Sequence, residues 1–356
     1  MRIPITGIGV VAPGAVGIEA FRALLASGRS AAAEVDRFDT SGLSAHKAAL
    51  VLDFKPKDFI SPMKMRRMNA LSRFGVAAAR MAIEDCGEAL QPETGVAIGT
   101  AFGPVQTSVE YMQEYVEKGA ALAPPQLFAE SVANAPGSHI AIEWGLRGFN
   151  VTITQRESSA LAAAMYAATQ IAKGSASAAL IGGVEEANEM LFSVLDRIGA
   201  LAHDNGTGMI LGEGGAVFVA GAGTRKPYGW LAGFGIARDT TATVTDWGHD
   251  AKSVVTAMKA ALDDAEVTGV DAIFVSANGS LRCDELERRA IAELFGNTPP
   301  ALVPTKHVFG EYAAGGALQI AAALAALDEG RYRNVLVNSI SAGGGIVCAI
   351  LSREAA

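Results

Sequence analysis

Residues 151–174, VTITQRESSALAAAMYAATQIAKG, run a β-branched strand into a polar corner and then into an alanine-rich helix. A side chain at such a corner faces the unpaired amides of the first helical turn and the positive end of the helix dipole, which favour an anion. A cysteine there would be held as thiolate and would suit acyl transfer. This chain places Gln155, Arg156 and Glu157 at the corner instead. The same field stabilises a carboxylate, but an acyl anhydride on Glu157 would hydrolyse quickly compared with a thioester. Glu157 therefore reads either as a favourable acid in a first helical turn or as a group that closes or polarises a cavity.

Other patterns exclude several kinds of chemistry. Gly7-Ile8-Gly9-Val10-Val11-Ala12 satisfies a loose dinucleotide pattern, but Pro13-Gly14 breaks the chain where a helix should present its amides, so a tight first turn of the sheet is the better account. Neither a phosphate-cradling GxxxxGK[ST] nor a GxSxG elbow occurs. His46, His139, His203, His249 and His307 are isolated from one another, and Cys86, Cys283 and Cys348 form no CxxC pair. No metal and no cofactor are expected, and the cysteines point to a reducing compartment.

The elements that must position the corner follow from composition and periodicity. Half of the 356 residues are hydrophobic and 40 are glycine, but only 6% are aromatic, which favours a layered α/β interior of small side chains. Strands are expected at 2–11, 94–101, 149–154, 177–183, 215–221, 228–237, 271–276, 333–339 and 345–352. Helices are expected at 17–27, 63–86, 105–118, 158–173, 250–266, 284–295 and 313–328. The progression repeats, with the boundary near GTRK, so 1–224 and 225–356 are taken as two related halves. The net charge of −8 excludes the broad positive field that nucleic acids require, and the basic run KMRRMNALSR at 64–73 reads as a solvated or partner-facing helix side. The interrupted apolar start and the absence of any membrane-length apolar run point to a cytoplasmic chain without a membrane role.

The succession ITGIGVVAP, FDTSGL, MNALSRFGVAAARMAIEDCG, VAIGTAFG, ALIGGVEEAN, MILGEGGAVFV, PTKHVFGEYAAGGALQIAAALAAL and NSISAGGG resembles a β-ketoacyl synthase of the elongating type. The resemblance implies a thiolase-like duplicated αβαβα five-layer fold that dimerises through the strand at 149–154. It also shows what is missing. Such synthases carry a nucleophilic cysteine where this chain has Glu157, and histidines where it has Asn278 and Glu311. Neither Asn278 nor Glu311 supplies the cationic donor that decarboxylation and condensation need. Lys306 and Glu287 stand at retained family positions, whereas Ala342 replaces the phenylalanine gate of the SAGGG loop. The turn at 278–284, the loop beyond 203 and the stretch before 333 are abbreviated.

A retained fold without its nucleophile resembles the chain-length factor, the β subunit of type II polyketide ketosynthases. That resemblance implies a heterodimer with an active ketosynthase, served by an acyl carrier protein; the corner residues Gln155 and Arg156, with Glu157, read as a polar plug in the former cavity. Val109, Tyr111 and Met112, on the helix at 105–118, are then the candidates for limiting chain length, against ordinary core packing of the same stripe. Two other readings stay open: a thiolase-fold decarboxylase or hydrolase using Glu157 or Glu311 as a base, and a homodimeric acyl-binding pseudoenzyme.

Overall fold

The computed structural model describes residues 2–203, 206–296 and 298–355. Ten strands form one continuous sheet in the order Ala301–Val303, Ala272–Phe274, Asn334–Ile340, Gly345–Ser352, Gly229–Arg238, Ile3–Ala12, Gly214–Ala220, Ala179–Glu185, Gly95–Gly99 and Asn150–Ile153, with the short Ala15–Val16 paired to the first strand. The order is a duplication about the centre. In each half the three outer strands run parallel and the next two pair antiparallel. The halves meet where Ile3, Pro4 and Ile5 pair with Leu231, Trp230 and Gly229.

Helices on both sides of each half complete five layers. Ala70–Cys86 covers one outer face, with Leu71, Val76 and Ala82 packed on Val217 and Val219. Ser159–Ala172 and Ala317–Asp328 fill the centre. Every residue from Ala317 to Leu327 is buried, as expected of a helix that is apolar all round. Ala251–Asp264 and Leu281–Phe295 cover the other outer face. No helix among the described residues is long and apolar enough to cross a membrane.

Several expectations need correction. The helix expected at 63–86 is broken into a short turn, Pro62–Met65, and the long helix Ala70–Cys86. Asn69 ends the continuity by capping the second helix, accepting from Ser72 N at 2.7 Å, while its own amide donates to Glu130. Lys64, Arg66 and Arg67 therefore lie outside the long helix. The helix expected from 313 begins at Ala317, because Ala314 and Gly315 adopt left-handed backbone. Gly7 and Gly9 make no turn; they lie within the first strand. A Cβ at Gly9 would fall 1.8 Å from Ala78 O, and one at Gly7 2.0 Å from Ala82 O, so both permit close strand–helix approach. The strand Ala301–Val303, the helices Pro125–Glu130, Ala135–Trp144 and Glu189–Arg197, and the small sheet of 33–34, 47–49 and 211–212 were not expected. Residues 204–205 of the shortened loop beyond 203 lie outside the described residues.

Candidate functional site

The strand Asn150–Ile153 ends in Gln155, a single 3₁₀ turn at Arg156–Ser158, and the central helix Ser159–Ala172. Arg156 takes φ 49°, one of four left-handed non-glycine residues described; Tyr312 and Ala314, beside Glu311, are two others. Such backbone is held only where its surroundings over-determine it. Here Ser159 Oγ donates to Arg156 O and accepts from Gln155 N, and Ser158 Oγ donates to Gln155 O. Ser341 fastens the corner to the glycine-rich loop, accepting from Ser158 N at 3.1 Å and donating to Gln155 O at 3.0 Å. Gln155 and Arg156 stay partly exposed, while Glu157 is fully buried.

Glu157 Oε2 accepts from Ala342 N at 3.2 Å, and Oε1 has no hydrogen-bond partner. The Tyr312 phenol interacts with this carboxylate without closing to hydrogen-bond geometry. Burial first, and then the charge of Glu311, push the Glu157 carboxyl up to about 7. Glu311 is itself well held. Its Oε2 accepts from Lys306 Nζ and Asn278 Nδ2, each at 2.7 Å, and its Oε1 from Tyr312 N at 2.8 Å. Burial opposes the Lys306 charge, but Glu311 more than offsets it, so the ammonium pKa lies above its ordinary value. Glu287 accepts from Ser276 N, Ala277 N and Asn338 Nδ2, and burial pushes it up to about 7.

The fold thus gathers Glu157, Asn278, Lys306 and Glu311 into one buried cluster, with Glu287 beside it. The cluster has no imidazole. His46, His203 and His307 instead line a cleft of about 960 Å³ that Asn278 and Lys306 also face. The hydroxyls of Ser158, Ser159 and Ser341 are tied to carbonyl oxygens. A serine nucleophile without an adjacent base is a weak one. At the corner itself the group poised near neutrality is the Glu157 carboxyl, which can hold or release a proton, and Glu287 beside the cluster is pushed up equally far. Among the described residues no group of three or more histidine, cysteine, aspartate or glutamate side chains is placed to hold a metal ion.

A second feature lies on the helix Val105–Lys118, of which Thr107 alone is buried, so its apolar stripe is not ordinary core. Phe102, Val105, Val109, Met112, Val116 and Met190 line an open groove of about 730 Å³. Val116 is 77% exposed and Met112 52%. Tyr111 does not line this groove; it packs on Phe128 and Tyr115, at ring separations of 5.5 and 6.3 Å. The spacing 105, 109, 112, 116 already defines one helix face and would have found Val105 and Val116. Phe102 and Met190 arrive from other segments and left no local signal. The strand Asn150–Ile153 ends the sheet, and among the described residues no strand pairs its outer edge.

Models of the β-ketoacyl synthase N-terminal and C-terminal domains match residues 1–222 and 228–337. A 3-oxoacyl-[acyl-carrier-protein] synthase 2 of Vibrio harveyi is 30% identical over 78% of this chain and 73% of its own. The ketoacyl synthase alpha and beta subunits of the tetracenomycin polyketide synthase of Streptomyces glaucescens are 30% and 29% identical, each over 92% of this chain and 85% and 86% of theirs. The structure of the ishigamide ketosynthase/chain length factor superposes with a TM-score of 0.89 at 25% identity, covering 99% of this chain and 98% of that one.

Proposed function

The chain belongs to the β-ketoacyl synthase family, and we propose that within it this protein is a non-catalytic subunit of the chain-length-factor kind. It pairs with an active ketosynthase that is charged by an acyl carrier protein, and it limits the acyl chain growing in that partner. The observation that carries this reading is the combination at the corner: the elbow geometry is kept, but Glu157 replaces a nucleophile and no imidazole faces it. A carboxylate pair with one ammonium bonded to Glu311 can neither form a lasting thioester nor supply a cationic donor to an enolate. The exposed groove supports the second half of the reading. An apolar helix face left uncovered by its own chain suits burial against a second subunit, as does the free edge of the strand Asn150–Ile153. Val109 and Met112 would then meet the far end of the partner's acyl tunnel, where overpacking by a methylene costs about 1–3 kcal/mol and stops extension. Tyr111, turned towards Phe128, is better placed to brace the helix.

Co-expression with an active ketosynthase tests the pairing. A stable 1:1 complex on size exclusion supports it, and a homodimer that ignores the ketosynthase rejects it. The competing enzyme reading rests on the buried, proton-holding Glu157. Turnover of malonyl-carrier protein by the purified chain, lost in Glu157→Ala, would establish that reading instead.

A further inference from the structure

We propose that Glu186 is a positioning residue for the groove, fixing the helix Val105–Lys118 from outside that helix; the inference rests on the chain-limiting reading above. The helix lacks its own start signal. Its N-cap is Pro104, which makes no side-chain cap, and no acid occupies its first turn. The missing acceptor comes from the segment after the central strand Ala179–Glu185, where Glu186 Oε1 accepts from Gln106 N at 2.8 Å. Gln106 is the second helical residue, the amide that a local cap would satisfy. The neighbouring Glu185 accepts from Thr100 Oγ1 and from the amides of Ala101 and Phe102, fixing the turn that leads in.

Both carboxyls are buried, at 0% and 5% exposure. Burial pushes Glu185 up to about 8 and Glu186 up to about 7. Such groups are costly to keep inside unless they hold something in place. What they hold is the end of a helix with one buried residue, and on that end sit Phe102, Val105 and Val109 of the groove. Further along, the helix is braced by Tyr111 on Phe128 and by Ser108 Oγ, which donates to Ser131 O at 3.0 Å, while the position of its start is set where the carboxyls grip it. Glu186 thereby acts on product length through the helix, without touching substrate.

The test uses the co-expressed complex, with Glu186→Ala, Glu186→Gln and Glu186→Met. Gln keeps an acceptor oxygen; Met keeps the volume, removes the acceptor, and serves if Ala fails to fold. The expected result for Ala or Met is faster amide exchange over residues 101–109, by about tenfold as for a lost helix cap, and a product distribution shifted by at least one extension unit. Gln should restore both. Parent-like exchange and parent-like products in Ala and Met overturn the proposal, as does faster exchange with unchanged products where Met112→Ala does shift them. If Met112→Ala leaves the products unchanged, the chain-limiting reading fails and takes the groove role of Glu186 with it. Exchange in the isolated chain then shows separately whether Glu186 holds the helix.

Discussion

Glu157 and Glu311 share a buried cluster in which the Lys306 ammonium is bonded to Glu311. Glu157 faces Glu311, Lys306, Tyr312 and the Ala342 amide, and it keeps its proton up to about 7, against 4.5 when unfolded. Between those values the folded chain binds a proton that the unfolded chain has released. Its stabilising contribution is therefore full below about 4.5 and is lost as pH rises through 7. Glu287 and Glu186 act in the same direction to about 7, and Glu185 to about 8. Urea midpoints should fall from pH 5 to pH 8. Glu157→Gln should flatten that fall, recovering on the order of 2–3 kcal/mol at pH 8; an unchanged slope would contradict the burial argument. Lys306 behaves differently, since it is the paired partner. Lys306→Met should cost about 3–5 kcal/mol by leaving Glu311 buried without its cation, and Lys306→Met with Glu311→Leu should recover most of it in the same denaturation assay.

At the level of elements, the first strand is clamped by the helix Ala70–Cys86. Gly9→Ala should destabilise by at least about 1–3 kcal/mol, read by chemical denaturation, because the added methyl meets a helix carbonyl that cannot yield. That contact leaves no mark of its own in the sequence. Glycines in a β-branched run look like turn signals, and only the packing partner reveals close approach. Long strands such as Gly229–Arg238 are legible because aromatic, aliphatic and small apolar residues fill them, whereas Ala301–Val303 is three residues at a sheet edge and carries no periodicity. Asn69 was read as an interior helix residue, although its cap with Ser72 and its bond to Glu130 decide the break. The candidate site divides in the same way. Glu157 is legible from the strand, corner and helix, whereas Asn278, Glu311 and Lys306 are legible only from their places in the family resemblance. Glu185 and Glu186 were not, since two acids after a glycine pair look like ordinary turn residues until the helix they hold is placed beside them.

For the whole molecule, duplication sets one half against the other and leaves the strand Asn150–Ile153 and the groove helix on the outside. On the proposed function the buried cluster and the exposed groove divide the work: the first holds Glu157 where a nucleophile would stand, and the second would offer a partner an apolar face that includes Val109 and Met112. The most direct measurement is the chain length of products made by the complex of this chain with an active ketosynthase, compared between the parent and Met112→Ala. Products longer by one or more extension units in Met112→Ala, at parent-like complex stability, are the result expected here. An unchanged product distribution from an intact complex would contradict the central claim.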